Sequence, residues 1–184
     1  MKTTFVSAFL CACLAFGADL PSWEYRLLGT TKTSTMDKEM NEAAQAGFEF
    51  MSVMGGETAF GGKEVVTVMG RRADAPAQKS YKLLAANKTG TLEREMQSVA
   101  EEGFEYKGQT VFESAFGGRE VSVIMERDKA APQRKSIYKL LATSKTSTME
   151  KEMKDAGSQG FVVLGMTVAK TAFGGSEVIC IMRQ

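Results

Sequence analysis

The chain has 184 residues, of which 43% are hydrophobic and 24% charged, values that are ordinary for a folded globular protein and exclude a disordered one. The 23 basic and 22 acidic residues leave a net charge of +1. Since the chain lacks the large positive charge that attracts a polyanion, we expect no nucleic-acid partner. Histidine is absent, which removes the usual general base, triad partner and transition-metal ligand, and we therefore expect no catalytic residue, no metal site and no cofactor.

Residues 1–17 have the features of a cleaved secretory signal peptide. Lys2 precedes an apolar run over residues 5–16, and Ala15 and Gly17 have the small-residue spacing that signal peptidase recognises. The run is too short to span a bilayer, which takes about 20 apolar residues. We therefore expect a secreted or periplasmic protein without a transmembrane segment, which begins near Ala18.

A lipoprotein signal is the alternative interpretation of the same residues. Leu10, Cys11, Ala12 and Cys13 would form a lipobox, and Cys13 would become the lipidated first residue. Cleavage near Ala18 instead removes two of the three cysteines. Only Cys180 then remains, so we expect no intramolecular disulfide.

An internal repeat accounts for almost all of the remaining chain. Three segments align without gaps and place Tyr25, Tyr81 and Tyr138 at equivalent positions. We call these units module 1 (residues 23–72), module 2 (79–128) and module 3 (135–184). The charged, Ala-Pro-containing linkers RADAPAQK and DKAAPQRK between them are typical of exposed spacers.

Each module begins with a predicted strand and a predicted helix. The strand alternates in polarity, as in YRLL and YKLL. Ser34 with Asp37, and Ser147 with Glu150, have the spacing of a capping box at the start of the helix. Apolar residues recur with helical spacing: Met36, Met40, Ala43 and Ala44 in module 1, and Leu92, Met96, Val99 and Ala100 in module 2. A glycine followed by phenylalanine is expected to end each helix in the left-handed conformation: Gly47, Gly103 and Gly160.

Two further strands complete the module. The second opens at the phenylalanine after the glycine, and the third is apolar at nearly every residue (EVVTVM, EVSVIM, EVICIM), which favours a central, buried position. A right-handed crossover through the helix makes the first two strands parallel, and the third fits between them antiparallel to both. We predict an α+β protein of three tandem β-α-β-β units, each a three-stranded sheet of order 1-3-2 with one helix on one face.

The repeated pattern resembles a known bacterial family. Its features are an aromatic-basic strand (YRLL, YKLL), a helix, a glycine-aromatic junction (GFEF, GFEY, GFVV) and a terminal apolar strand ending on arginine (VMGR, IMER, IMR). Together they resemble the family catalogued as domain of unknown function 4177, over about 50 residues of each module. The resemblance implies a fold and no activity.

The AFGG string before the third strand is the sharpest repeated motif. One interpretation is a hairpin connection, with glycines supplying positive φ and the phenylalanine packing under the sheet. The other is a contact surface for a protein partner, formed by three equivalent loops. The residues concerned are Phe60, Gly61, Gly62, Phe116, Gly117, Gly118, Phe173, Gly174 and Gly175.

Two other sets of charged residues recur. Lys32, Lys88 and Lys145 precede the helices, where free backbone N–H groups and hydroxyls would hold an anion, or where the lysine is simply solvated. The glutamates at the start of the third strand are expected to form ion pairs with the basic residue of the neighbouring first strand. These predicted pairs join Glu64, Glu120 and Glu177 to Arg26, Lys82 and Lys139.

The sequence favours an exported, non-catalytic binding or scaffolding protein with a protein partner in the cell envelope. A module of about 50 residues buries little surface, so we expect the three modules to share a core. The alternative is a small-ligand carrier or an enzyme with a site between modules. The sequence leaves open whether the modules close into a pseudo-threefold ring or hang as separate beads.

Overall fold

The computed structural model describes residues 22–57, 63–73, 76, 78–113, 119–170 and 175–184. Module 1 contains β1 (Trp23–Thr30), α1 (Thr33–Gln45), β2 (Glu49–Glu57) and β3 (Lys63–Arg72). Module 2 contains β4 (Lys79–Ala86), α2 (Thr89–Glu101), β5 (Glu105–Glu113) and β6 (Arg119–Asp128). Module 3 contains β7 (Tyr138–Thr143), α3 (Thr146–Ser158), β8 (Val162–Lys170) and β9 (Ser176–Arg183). The predicted α+β class and three repeated β-α-β-β units are confirmed.

Each module has a separate three-stranded sheet in which the third strand is central. The orders are β1-β3-β2, β4-β6-β5 and β7-β9-β8, with every neighbouring pair antiparallel, as predicted. The second strand of each module carries a one-residue bulge: the register shifts between Phe50 and Ser52 in β2 and at the equivalent places in β5 and β8. The central strand of module 2, β6, is covered on both faces, since residues 121–126 are all buried, whereas β3 is fully covered only on the face that holds Val65, Thr67 and Met69.

The glycine at the end of each helix adopts the left-handed conformation that the sequence predicted. Gly47, Gly103 and Gly160 have φ of 82°, 86° and 88°. After α1, the N–H groups of Gly47 and Phe48 donate to the carbonyls of Ala44 and Ala43 at 3.0 and 3.1 Å, which is the expected fold-back onto the last turn.

The predicted start of the helices is wrong by two positions. The N-caps are Lys32, Lys88 and Lys145, and no side chain caps the helix at any of these ends in the described structure. Ser34 lies inside α1 rather than at its N-cap, so it forms no capping box with Asp37.

The helices α1 and α2 each pack between two sheets, their own and the sheet of the next module. The core around α1 combines Met36 and Met40 with Val65 and Met69 of β3 and also with residues of module 2. These module 2 residues are Tyr81, Ile124 and the half-buried Leu83. Burial of α1 therefore depends on module 2 as much as on module 1.

The core around α2 is likewise built from residues of two modules. Leu92 and Met96 of α2 and Val123 and Met125 of β6 pack with residues of module 3. These module 3 residues include Tyr138, Leu140, Ile179 and Ile181. The third core, around α3, contains only module 3 residues: Met149, Ala156, Cys180 and Met182, with Leu141, Met153, Phe161 and Val178 packed against them.

The three modules therefore form an open row, in which α1 packs on β4, α2 packs on β7, and the bulged strands β2, β5 and β8 pack on one another in order. This arrangement differs from both a closed ring and separate beads. The first strand of module 1 remains uncovered at one end, and the helix of module 3 at the other. Among the described residues, no helix is long and apolar enough to cross a membrane.

Candidate functional site

The AFGG connections lie almost wholly outside the described residues. Of the nine residues predicted from this motif, the structure describes Gly175 alone, which is exposed. The flanking strands pair antiparallel as far as Glu57 with Lys63, Glu113 with Arg119, and Lys170 with Ser176. Each connection therefore joins the two strands of a hairpin. The contact surface at Phe60, Phe116 and Phe173 stays a prediction.

The three lysines before the helices lie apart, each at the start of a different helix. Lys32, Lys88 and Lys145 are exposed. The structure does not bring them together with one another. Anion binding at these positions stays a prediction, and a solvated lysine agrees with their exposure.

The predicted ion pairs between the third and first strands are wrong in register. Lys82 lies opposite Met125, far along β6 from Glu120, which lies opposite Phe112. Lys82 instead forms an ion pair with Glu102 after α2, at 2.8 Å. Basic residues at this position also lie over the phenylalanine that follows the helix: Arg26 over Phe48, Lys82 over Phe104, and Lys139 over Phe161.

Polar side chains of α1 bind the backbone of the first strand of module 2. Asn41 Nδ2 donates to the Tyr81 carbonyl oxygen at 2.9 Å, and Asn41 Oδ1 accepts from the Tyr81 N–H at 3.0 Å. One turn earlier, Asp37 Oδ1 accepts from the Leu83 N–H at 2.8 Å. The helix thus satisfies the free backbone groups of β4, which is an edge strand of its sheet.

The same contact recurs between modules 2 and 3. Gln97 Oε1 accepts from the Tyr138 N–H at 3.0 Å, and Gln97 Nε2 donates to the Ser136 carbonyl oxygen at 3.2 Å. Glu93 Oε2 accepts from the Leu140 N–H at 2.7 Å. An acid and an amide one helical turn apart therefore form a repeated device for binding the edge strand of the next module.

A tyrosine on the first strand of the following module completes each of these two interfaces. The Tyr81 hydroxyl accepts a hydrogen bond from the Phe50 N–H beside the β2 bulge, at 2.8 Å. The Tyr138 hydroxyl accepts one from the Tyr106 N–H in β5, at 2.9 Å. The bulge of one module and the first-strand tyrosine of the next are therefore complementary parts of one interface.

Module 2 has an additional charged cluster around Glu126, which is only 6% exposed. The Tyr81 hydroxyl donates to Glu126 Oε2 at 2.9 Å, and Lys79 and Lys107 lie 3.4 and 3.0 Å from its other oxygen. Lys79 also pairs with Asp128 at 2.8 Å. Every charged group named here has an opposite charge nearby, which is the arrangement expected of a stabilising network.

The environment of this cluster shifts three pKa values. Burial, and then the charge of Glu126, raise the pKa of Tyr81 above its ordinary value. Burial of Lys79 opposes its charge, but the hydrogen bond to Asp128 and the neighbouring carboxylates outweigh burial and raise its pKa. The hydrogen bond from Lys79 lowers the pKa of Asp128. Tyr81 and Lys79 therefore stay protonated at neutral pH and fit poorly as general bases.

A polar cavity of about 240 Å³ adjoins this cluster. It lies between module 2 and the linker that leads to module 3. The alternative function, a small-ligand carrier or an enzyme, is predicted to have its site between modules, and this cavity does not lie there. Its lining residues include Lys79, Glu105, Lys107, Glu126, Asp128 and Arg134.

The first strand of module 1 exposes the face that its counterparts bury. Trp23, Tyr25 and Leu27 are 44%, 60% and 73% exposed. Leu27 pairs across the sheet with Val68, so the two side chains share this face. Trp23 and Tyr25 stack with ring centroids 6.2 Å apart. We call the surface formed by Trp23, Tyr25, Leu27 and Val68 the head face.

The opposite end of the row carries an apolar groove of about 480 Å³ between α3 and the sheet of module 3. Met153 is half-buried here, and Met166 is 49% exposed. In modules 1 and 2, the counterparts of Met153, which are Met40 and Met96, are fully buried under the next module. We call this surface the tail groove, lined by Thr146, Met149, Glu150, Met153, Lys154, Met166 and Val178.

Sequence reasoning missed both end surfaces, although an alignment of the three helices contains the signal. Asp37, Glu93 and Glu150 are equivalent, and all are acids. Four residues later, modules 1 and 2 hold the amides Asn41 and Gln97, whereas module 3 holds Lys154 and is followed by no further module among the described residues. Lys154 instead forms an ion pair with Glu150 within α3. Among the described residues, no cluster of three or more His, Cys, Asp or Glu side chains suits a metal ion.

In comparisons with known proteins, no protein-family model, curated protein or solved structure matches the chain.

Proposed function

We propose that this protein is an exported, non-catalytic binding or scaffolding protein that holds protein partners at the two ends of a row of three modules. The main support is the pair of exposed apolar end surfaces, the head face and the tail groove. Exposed apolar patches of this kind mark protein interaction sites on soluble proteins. The aromatic and methionine residues on both surfaces belong to the types enriched in protein interfaces.

The shared cores support a scaffolding role. Because each inner helix is buried between two modules, the row holds its two ends at a fixed separation. A beads-on-a-string arrangement would leave that separation variable. A fixed row with one binding surface at each end has the geometry of a connector between two proteins.

A photo-crosslinking amino acid placed at Met166 tests this function. The matched control carries the same group at Lys129, which is exposed outside the tail groove. We expect protein adducts at 166 and none at 129, identified by mass spectrometry after irradiation of intact cells. Absence of protein adducts at 166, together with stabilisation of the purified protein by a small molecule in a thermal-shift screen, would favour the ligand-carrier or enzyme alternative.

Export is a separate part of the proposal and rests on residues 1–17. Intact-mass analysis of the native protein is expected to give a chain that begins near Ala18 without lipid. An acylated chain that begins at Cys13 would overturn this and place the protein on a membrane as a lipoprotein. The resemblance to the domain of unknown function 4177 family also stays a proposal, supported by the repeated pattern alone.

A further inference from the structure

We propose that the partner of the tail groove is the head face of a second copy of this chain, so that the protein assembles head to tail. This inference rests on the proposed function, since it names the occupant of the same end surfaces. The chain already builds this interface twice, between modules 1 and 2 and between modules 2 and 3.

The head face carries the same side chains as the surfaces that dock internally. In module 2, Tyr81 and Leu83 of β4 act together with Ile124, which pairs with Leu83 across the sheet. In module 3, the same three positions hold Tyr138, Leu140 and Ile181. In module 1 they hold Tyr25, Leu27 and Val68. Two of the three residues are identical and the third keeps a β-branched apolar side chain.

The tail groove carries the matching half. Met149 and Met153 stand where Met36 and Met40 receive module 2. Glu150 stands where Asp37 and Glu93 accept the leucine N–H, and is placed to accept that of Leu27 from a second copy. The backbone N–H of Val163 occupies the position from which those of Phe50 and Tyr106 donate to the hydroxyls of Tyr81 and Tyr138. It is placed to donate to the Tyr25 hydroxyl of a second copy.

Lys154 makes this interface weaker than the internal ones. The amides Asn41 and Gln97 each accept one hydrogen bond from the incoming strand and donate another to it. A lysine ammonium donates only, so the N–H of Tyr25 in a second copy would lose its acceptor. The internal interfaces also gain from the covalent linkers, which hold the partners at high effective concentration. Assembly between copies is therefore reversible and depends on protein concentration.

The geometry is heterologous, because the head face and the tail groove are different surfaces. A head-to-tail contact adds copies to a row unless the rotation between them closes a ring. A self-complementary contact of two head faces, or of two tail grooves, would stop at a dimer.

Sedimentation velocity of the purified protein over a range of concentrations tests the proposal. We expect association that Leu27→Asp and Met166→Asp each weaken at least about tenfold, because each places a charge in an apolar contact. Both residues are exposed in the single chain, so both variants are expected to keep the melting temperature of the wild type. Ser34→Asp, at an exposed position of α1, serves as the matched control and is expected to associate like the wild type.

A mixture of the two variants separates head-to-tail assembly from the self-complementary contacts. Leu27→Asp retains its tail groove and Met166→Asp retains its head face, so the mixture is expected to form mixed dimers and nothing larger. Lys154→Gln restores the acid–amide pair of α2 and is expected to strengthen the association of the otherwise unchanged protein.

A wild type and a Lys154→Gln variant that both remain monomeric at every concentration would overturn the second-copy inference. Crosslinking of a different protein at residue 166 would then leave the proposed binding function intact. Absence of any protein adduct at 166 would count against both.

Discussion

The carboxylate of Asp37 in module 1 accepts a hydrogen bond from the backbone N–H of Leu83 in module 2, at 2.8 Å. This bond joins a helix to the edge strand of a different sheet. With the two bonds from Asn41 to Tyr81, it replaces the hydrogen bonds that a fourth strand would make along β4. The modules therefore form a row without their sheets merging into one.

The contribution of this contact is measurable by substituting the amide. We expect Asn41→Ala to lower the free energy of unfolding by about 1–3 kcal/mol, because the Tyr81 N–H and carbonyl lose their partners. Lys154→Ala, at the equivalent position of α3, is the matched control and is expected to change stability by less than about 0.5 kcal/mol. Urea unfolding of the two variants measures both, and equal losses would show that Asn41 has no interface role.

The close approach of β2 to β5 requires a residue without a side chain at Gly55. A Cβ at Gly55 would overlap the backbone carbonyl oxygen of Val111, whereas a Cβ at Gly56 would meet no atom within 4 Å. We expect Gly55→Ala to destabilise the protein by about 1–3 kcal/mol, since backbone must move, and Gly56→Ala to be nearly neutral. Thermal melts of the pair decide it. A neutral Gly55→Ala would mean that modules 1 and 2 approach less closely than described.

The central position of β9 predicts a large effect at Ile181, which is fully buried and also contributes to the core around α2. Ile181→Ala is expected to cost about 2–5 kcal/mol, because it leaves a cavity between two modules. Ile137→Ala in the same module is the control, since Ile137 is 52% exposed and pairs with Gln184 only through its backbone. Chemical denaturation of both variants compares them, and similar small losses would contradict a shared core.

We expect the half-buried Tyr106 to make the stability of the protein depend on alkaline pH. Burial, followed by the charge of Cys180, raises the pKa of Tyr106 from its ordinary value of 10.0 to about 12. The unfolded chain thus releases this proton at lower pH than the folded chain, so the contribution of Tyr106 is complete below pH 10 and is lost as pH rises towards 12. We expect unfolding free energy to fall over this range, and less steeply in Tyr106→Phe. Identical slopes in the two proteins would exclude Tyr106 as a cause.

The order of strands within a module follows from sequence because local patterns determine it. The apolar third strand has to lie between the other two, and the glycine–phenylalanine junction fixes where the helix turns back. Gly47 and Phe48 have this predicted geometry, and repetition in three modules makes the pattern stronger than one copy would.

The contacts between modules were not predictable in the same way. Some residues that form them also fit a local pattern within their own module, and that pattern does not reveal the distant partner. Asp37 has capping-box spacing relative to Ser34, yet its carboxylate binds Leu83. Tyr25, Tyr81 and Tyr138 are equivalent in the repeat, but among the described residues only Tyr81 and Tyr138 bind a preceding module. The exposed surfaces at the two ends follow from the number and order of modules, which no pattern within one module contains.

The sharing of cores between modules also sets the order in which the protein can fold as it is synthesised. The core around α1 includes Ile124 of β6, so Met36 and Met40 lack part of their cover until β6 has left the ribosome. The core around α2 is completed in the same way only when Ile181 of β9 has been synthesised. A nascent chain that stalls between modules would expose a methionine-lined surface, and each newly completed module would protect the one made before it.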